Sequence, residues 1–201
     1  MTTGCGRFIV IDGPSGVGKS TVVNLLGKLL ASPDHEVVAT AEPSTGPVGE
    51  LARAGTHAYH GLALACLVTA DRYHHLATQI RPALAAGRTV VCDRYLPTSL
   101  ILQYRDGVPT ELIWQLNADA NKPDLTFLLV GDDTLCRQRA TQRGTYSRFH
   151  EELIGEADAY RRLVPGLRDH GYRSHLHNIG LASAAEVAGV LRDIIVRELT
   201  W

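Results

Sequence analysis

Eight residues near the amino end constrain the fold of this chain more than any others. Gly13–Ser20 read Gly-Pro-Ser-Gly-Val-Gly-Lys-Ser and match the pattern G-x-x-x-x-G-K-[ST] at every fixed position. The segment follows the apolar run Phe8–Ile11 and precedes Thr21–Leu26, whose apolar residues have helical spacing. The sequence therefore predicts a strand, a glycine-rich turn and a helix, which is the setting that this pattern requires.

The residue types in this turn suit the binding of phosphate groups. Glycines allow backbone N–H groups to converge on phosphate oxygens, and the N-terminus of the following helix adds its dipole. Lys19 reaches the β- and γ-phosphates as a point charge, and the hydroxyl of Ser20 is a ligand for Mg²⁺. We therefore expect a nucleoside triphosphate and Mg²⁺ here, bound by Gly13, Ser15, Gly16, Val17, Gly18, Lys19, Ser20 and Thr21.

The composition narrows the class of protein and its partners. The chain has 201 residues, 45% of them hydrophobic, and its 20 basic and 21 acidic residues leave a net charge of -1. This balance excludes a disordered polyelectrolyte and a generally basic nucleic-acid binder. The longest apolar run, Leu62–Val68, is far shorter than the roughly 20 residues that cross a bilayer, and no signal-peptide pattern begins the chain. We expect residues 1–201 to form one domain. We also expect a cytoplasmic location and no nucleic-acid or membrane partners.

Short apolar runs alternate with longer segments of helical period, a pattern typical of α/β proteins. Most of the runs are apolar on both faces, as buried parallel strands are. Five strands are predicted: Phe8–Ile11, Val37–Thr40, Thr89–Cys92, Leu125–Val130 and His175–Asn178. Helices must then cover both faces of a three-layer structure. One of them lies between Tyr59 and Ala86, with an apolar stripe that includes Leu62 and Cys66.

An acid and an arginine, Asp93 and Arg94, follow the third predicted strand. Because the carboxyl ends of parallel strands meet at one edge of a sheet, both side chains should lie beside the phosphate-binding turn. Asp93 can hold Mg²⁺ through water, and Arg94 can bind an acceptor phosphate or a phosphate in transfer. A salt bridge at a strand end is the alternative interpretation.

Four arginines lie close together further along the chain: Arg137, Arg139, Arg143 and Arg148. Phosphoryl transfer spreads negative charge over phosphate oxygens, and arginines on a closing lid stabilise that charge and exclude water. We expect a lid at about residues 143–150, in which Arg148 is catalytic, while Arg139 and Arg143 contact the nucleotide. A solvated, arginine-rich helix face is the alternative interpretation.

Motifs along nearly the whole chain resemble the thymidylate kinase family. Besides the glycine-rich turn, they are Glu42-Pro43, Gly46–Glu50, Ala70-Asp71-Arg72, Arg81–Gly87, Asp93-Arg94-Tyr95, Lys122–Thr126 and Arg143-Gly144. The resemblance implies the P-loop NTPase fold, a five-stranded parallel sheet with helices on both faces and an arginine-bearing lid. It also implies the phosphorylation of dTMP to dTDP with ATP and Mg²⁺, and it suggests a homodimer.

The same resemblance implies roles for residues on the acceptor side. Arg72 would help to bind the acceptor nucleotide, Arg94 would bind its phosphate, and Gln103 would lie near the base. Glu42 would face the sugar and phosphate. The substrate-binding residues are then Glu42, Val68, Arg72, Arg94, Tyr95 and Gln103, and the catalytic residues are Lys19, Glu42, Asp93, Arg94 and Arg148.

Three acceptor-side positions depart from the family pattern. Ala41 stands where members have an arginine beside the Glu-Pro step, and Ser15 stands where many have an acid in the turn. Val68 stands where members have a phenylalanine that stacks on thymine. These departures leave open a second enzyme class, a nucleoside or similar small-molecule kinase in which Glu42 deprotonates a hydroxyl. A nucleotide-binding regulatory module without turnover is the remaining alternative.

Overall fold

The computed structural model describes residues 6–142, 149 and 155–199, and a parallel sheet of five strands lies at its centre. The strands are β1 (Phe8–Asp12), β2 (Val37–Ala41), β3 (Thr89–Asp93), β4 (Leu125–Val130) and β5 (Ser174–Asn178). Their order across the sheet is β2-β3-β1-β4-β5, and all the pairings are parallel. Each predicted strand is present, with its ends displaced by no more than one residue.

Helices connect the successive strands, because parallel strands require long crossover connections. They are α1 (Lys19–Leu30), α2 (Pro47–Ala54), α3 (Gly61–His75), α4 (Arg81–Ala85), α5 (Leu96–Arg105), α6 (Thr110–Leu116), α7 (Asp133–Gln142), α8 (Glu156–Asp169) and α9 (Ala184–Leu199). A π-helical turn, Leu76–Ile80, joins α3 to α4. Within the described ranges, none of these helices has both the length and the apolar character needed to span a membrane.

The helices bury apolar residues on both faces of the sheet. On one face, α1 and α9 contribute residues such as Leu26 and Leu191 to a cluster with Phe127 of β4. On the other face, α3, α5, α6 and α8 pack against the sheet, and Leu100 and Tyr160 belong to this second cluster. The prediction of a three-layer α/β fold is therefore confirmed.

The apolar stripe predicted from spacing is buried only in part. Thr69, Leu76 and Ile80 are buried and Tyr73 is half-buried, but Leu62 is 50% exposed and Cys66 is exposed, so the prediction is wrong at these two positions. The buried face also includes the polar residues Asp71, Arg72 and His75. Hydrophobic periodicity cannot identify such a face, because polar side chains become buried only when partners elsewhere in the fold satisfy them.

The predicted lid, residues 143–150, lies almost wholly outside the described residues, and Arg143 and Arg148 lie outside them too. The helix that precedes this segment, α7, is described, and its Arg137 and Arg139 are exposed. The lid and its two arginines therefore stay predictions.

Asp12, the last residue of β1, joins the sheet to two helices. Its carboxylate is fully buried and accepts hydrogen bonds from the backbone N–H groups of Gly13 (2.8 Å), Tyr95 and Thr98 (both 3.0 Å). The hydroxyls of Thr98 (2.6 Å) and Tyr160 (2.9 Å) also donate to it. Since Tyr95 is the N-cap of α5, a carboxylate from another element caps this helix. Asp12 therefore holds the glycine-rich turn, α5 and α8 in a fixed arrangement.

Replacing Asp12 with asparagine should destabilise the fold strongly. The amide keeps the size of the side chain, but it removes the buried charge and puts a donor where the donors of other residues converge. We expect the free energy of unfolding, measured by urea denaturation, to fall by about 2–4 kcal/mol. Asp34→Asn, at an exposed position, should change it by less than about 0.5 kcal/mol. Equal losses in the two variants would contradict the role given to Asp12.

Candidate active site

The glycine-rich turn, Gly13–Ser20, connects the central strand β1 to α1. Gly13 and Gly16 have positive φ angles of 150° and 81°. A Cβ atom at Gly13 would lie 2.3 Å from the carbonyl oxygen of Leu129, and one at Gly16 would lie 1.9 Å from that of Cys136. Both positions therefore require glycine, for the backbone conformation and for the close approach of β4 and α7. The tight turn ends at the N-terminus of α1, and a phosphate group bound there would meet the positive end of the helix dipole.

Lys19 folds back over this turn. Its Nζ donates hydrogen bonds to the carbonyl oxygens of Gly13 (2.9 Å) and Pro14 (2.8 Å), and the residue is 5% exposed. Burial lowers the pKa of Lys19 to about 8, the charge of Arg94 acts in the same direction, and nearby carboxylates oppose the shift. The ammonium group is thus mostly protonated at neutral pH. It can exchange its carbonyl contacts for phosphate oxygens, to which a cation binds more strongly.

Ser20 and Asp93 lie in direct contact across the sheet edge. The hydroxyl of Ser20 donates to Oδ2 of Asp93 at 2.5 Å, and the parallel register of β3 with β1 sets the position of Asp93. The other carboxylate oxygen of Asp93, Oδ1, is buried and has no hydrogen-bond partner among the described residues. Buried polar atoms are normally satisfied, so this oxygen calls for a ligand. A carboxylate beside a hydroxyl is a donor set that fits Mg²⁺, which prefers oxygen ligands.

Arg94 lies between the glycine-rich turn and the start of α5. Its φ angle of 70° places it in the left-handed region, which residues other than glycine rarely adopt. The guanidinium donates to Oγ1 of Thr98 (3.1 Å) and to Oγ of Ser15 (3.0 Å). Both partners are neutral, and within the described ranges neither Asp93 nor any other acid forms an ion pair with it. Burial lowers the pKa of Arg94, but the nearby Tyr160, Asp93, Asp12 and Glu156 raise it above its ordinary value. Because none of these acids pairs with it directly among the described residues, the guanidinium can still bind an anionic ligand.

Arg72 and Glu42 form a buried ion pair, and Glu42 directly follows the end of β2. Nε of Arg72 lies 2.7 Å from Oε2 of Glu42, and both side chains are almost completely buried. The remaining guanidinium nitrogens of Arg72 donate to Asn117 (2.6 Å) and Ser99 (2.9 Å), and its Cζ lies 4.9 Å from the centre of the Tyr95 ring. Arg72 is thus held on all sides by the protein, and Glu42 is one of the groups that hold it.

Two further contacts fix the segment that carries Glu42. The backbone N–H of Glu42 donates to the carbonyl oxygen of Asp93 at 2.9 Å, so the end of β2 stays beside the end of β3. Asp71, the neighbour of Arg72 in sequence, accepts hydrogen bonds from the backbone N–H and the hydroxyl of Ser44, at 2.7 and 2.5 Å. The loop after β2 is therefore attached to α3 at two adjacent residues, Asp71 and Arg72.

The other predicted site residues have diverse environments. Gln103 is 4% exposed, and its Oε1 has no hydrogen-bond partner among the described residues. Tyr95 is fully buried, and its hydroxyl donates to the backbone of Asn121 at 3.0 Å. The last four residues differ in burial. Val68 is half-buried on α3, and Val17 is buried in the hydrophobic core. Thr21 on α1 and Arg139 on α7 are exposed.

Two acidic residues of this site do not follow from the sequence analysis, Asp12 and Glu156. Asp12 has a signal, because a lone acid at the end of an apolar strand, next to Gly13, is unusual. Glu156 has none, since it lies 141 residues from its partner Ser15, whose backbone N–H donates to its Oε2 at 3.0 Å. Only the folded chain brings Glu156 and Ser15 together.

Comparison with known proteins identifies the family of this chain. The family model described as thymidylate kinase matches residues 11–164 of the chain. A probable thymidylate kinase of Pyrobaculum aerophilum is 37% identical over 147 residues, which cover 71% of this chain and 73% of that protein. The thymidylate kinase of Caldicellulosiruptor saccharolyticus is 34% identical over 172 residues, 82% of each chain. That of Staphylococcus haemolyticus is 34% identical over 172 residues, 78% of this chain and 83% of the relative. With the parallel sheet and the phosphate-binding turn, these similarities confirm that the chain belongs to the thymidylate kinase family of nucleotide kinases.

Proposed function

We propose that this protein transfers the γ-phosphoryl group of ATP to the phosphate of dTMP, forming dTDP and ADP. The observation that carries the proposal is the environment of Arg94, a cation that two neutral hydroxyls hold beside the phosphate-binding turn. Such a cation suits an acceptor that is itself an anion. Membership of the thymidylate kinase family supports dTMP as that acceptor.

The donor side of the proposed site suits ATP. The turn and the N-terminus of α1 bind phosphate oxygens, and Lys19 adds a charge that is directed at the β- and γ-phosphates. Ser20 and Asp93 would hold Mg²⁺, which, when bound, neutralises charge on the phosphates. In the reaction, an oxygen of the dTMP phosphate forms a bond to the γ-phosphorus while the bond from that phosphorus to the oxygen of ADP breaks.

A phosphate acceptor makes a general base unnecessary. At neutral pH a nucleoside monophosphate already carries deprotonated oxygens, whereas a hydroxyl acceptor must lose a proton. Oε2 of Glu42 is paired with Arg72 at 2.7 Å, which suits a group that orients a neighbour. Its buried Oε1 lies 3.5 Å from Nδ1 of His75 and has no hydrogen-bond partner among the described residues. We therefore assign Glu42 to the positioning of Arg72 on the acceptor side.

Recognition of the base would involve Gln103. Its Oε1 is a buried hydrogen-bond acceptor that lacks a partner within the described ranges. The N3–H group of thymine is a donor, and a buried polar group that needs its partner discriminates strongly against ligands that lack it. Gln103 would thus favour bases with an N–H at this position.

The remaining sequence-based expectations belong to the same proposal. Arg148 would stabilise the phosphoryl group in transfer, and Arg139 and Arg143 would contact the nucleotide. The homodimer and the cytoplasmic location stay predictions.

Product analysis across matched acceptors tests the proposed function. Each nucleoside and its 5′-monophosphate would be incubated with ATP and Mg²⁺, ADP release would be followed, and the products would be identified by mass. We expect dTDP from dTMP and no product from thymidine. Phosphorylation of thymidine, or no turnover of dTMP, would contradict the proposal.

The role of Asp93 predicts a change in the response to Mg²⁺. Asp93→Asn keeps the size of the side chain but removes the charge that attracts the cation, so the Mg²⁺ concentration for half-maximal activity should rise by at least about tenfold. Asp169→Asn, at an exposed position of α8, is the matched control and should leave this concentration unchanged. A lower kcat with an unaltered Mg²⁺ response would assign Asp93 a different role.

A further inference from the structure

Glu156 is a buried carboxylate that the proposed reaction does not use. It is the first residue of α8 and is 1% exposed. An acid at this position of a helix is ordinarily solvated and interacts with the helix dipole, whereas burying its charge is unfavourable unless polar groups compensate. Asp158, the other acid in the first turn of α8, is exposed and follows the ordinary pattern. The burial of Glu156 therefore requires a different explanation from the start of a helix.

The hydrogen bond from Ser15 supplies part of that explanation. The backbone N–H of Ser15 donates to Oε2 of Glu156 at 3.0 Å, while the hydroxyl of Ser15 accepts from Arg94 at 3.0 Å. Ser15 of the phosphate-binding turn thus binds α8 through its backbone N–H and Arg94 through its hydroxyl. It links Glu156 to Arg94 by hydrogen bonds, and the charge of Glu156 also attracts Arg94 directly.

The two contacts of Arg94 are anchored in different ways. Thr98, which accepts from one side of the guanidinium, is bound to the buried Asp12 through its hydroxyl and its backbone N–H. Ser15, which accepts from the other side, is bound to Glu156. A rigid two-point support of a guanidinium fixes its plane as well as its position, and phosphate recognition depends on that plane.

We propose that Glu156 is a positioning residue of the transfer reaction, which acts through Ser15 to hold Arg94 in the orientation that binds the acceptor phosphate. The proposal rests on the proposed function, because it takes the acceptor to be a phosphate. The charge of Glu156 also acts on Arg94 directly, and the proposal assigns the effect to the hydrogen bond with Ser15 instead of to that charge. A variant that keeps the hydrogen bond and removes the charge separates the two. Loss of Glu156 should therefore weaken the use of the acceptor more than that of ATP, because in the proposed site ATP would contact several other residues of the turn.

Kinetic constants for both substrates test this role. Glu156→Ala and Ser15→Ala should each lower kcat/KM for dTMP by about tenfold or more, with the KM for ATP within about threefold of the wild-type value. Glu156→Gln retains an acceptor oxygen for the N–H of Ser15 and should stay within about threefold of wild type in kcat/KM for dTMP. Asp158→Ala, the exposed control on the same turn of α8, should behave as the wild-type protein does.

A double variant distinguishes positioning from a general structural role. If Glu156 acts through Ser15, the Ser15→Ala/Glu156→Ala variant should be no worse than the poorer single variant by more than about twofold. Multiplication of the two single losses would overturn the proposal. A Glu156→Ala variant that unfolds at a lower urea concentration but keeps its kinetic constants would overturn it too, as would wild-type kinetics in Ser15→Ala.

The outcomes for the proposed function and for Glu156 can be separated. If the wild-type protein phosphorylates another acceptor instead of dTMP, the proposed function fails, and the same ratios measured with that acceptor still test Glu156. If the wild-type protein phosphorylates dTMP and the double variant is multiplicative, only the role of Glu156 fails. A wild-type protein without any acceptor overturns both.

Discussion

The buried carboxylate of Asp12 accepts hydrogen bonds from the phosphate-binding turn, from the start of α5 and from α8. Each of these elements carries a part of the site: the turn holds Lys19, α5 begins beside Arg94, and α8 begins with Glu156. A buried charge of this kind is stable only while its donors surround it, so the three elements are held together or lost together. The arrangement of the site therefore depends on one side chain at the end of the central strand.

The charges around this centre are divided between two tasks. Arg72 is paired with Glu42 and bound by Asn117 and Ser99, so its guanidinium is held in place by protein groups; its binding of the acceptor nucleotide stays a prediction. Arg94 and Lys19 donate hydrogen bonds to neutral oxygens and form no ion pair among the described residues, so both cations can bind incoming phosphates. Preorganised charges of this kind stabilise phosphoryl transfer without reorganisation at the moment of reaction.

The sequence predicts the elements of the fold well, because the buried strands are apolar runs and the glycine-rich turn has a specific pattern. It also predicts that Asp93 lies at the turn, since parallel strands end at one edge. It does not predict the partners of buried polar groups. The burial of Arg72 depends on Glu42, Ser99 and Asn117, which come from three separate segments, so hydrophobic spacing does not predict that Arg72 is buried. The burial of Glu156 cannot be predicted for the same reason, because its partner Ser15 lies 141 residues away in the chain.

Arg94 forms no ion pair with an acid among the described residues, and we propose that it binds the phosphate of the acceptor; calorimetric binding tests this role most directly. The affinities of dTMP and of thymidine would be measured for the wild-type protein and for Arg94→Ala. The wild-type protein should bind dTMP at least about tenfold more tightly than thymidine, because a charge-assisted hydrogen bond to phosphate is worth about 1.5–3 kcal/mol. Arg94→Ala should lose most of this preference. Equal binding of the two ligands by the wild-type protein, or an undiminished preference in the variant, would contradict the account.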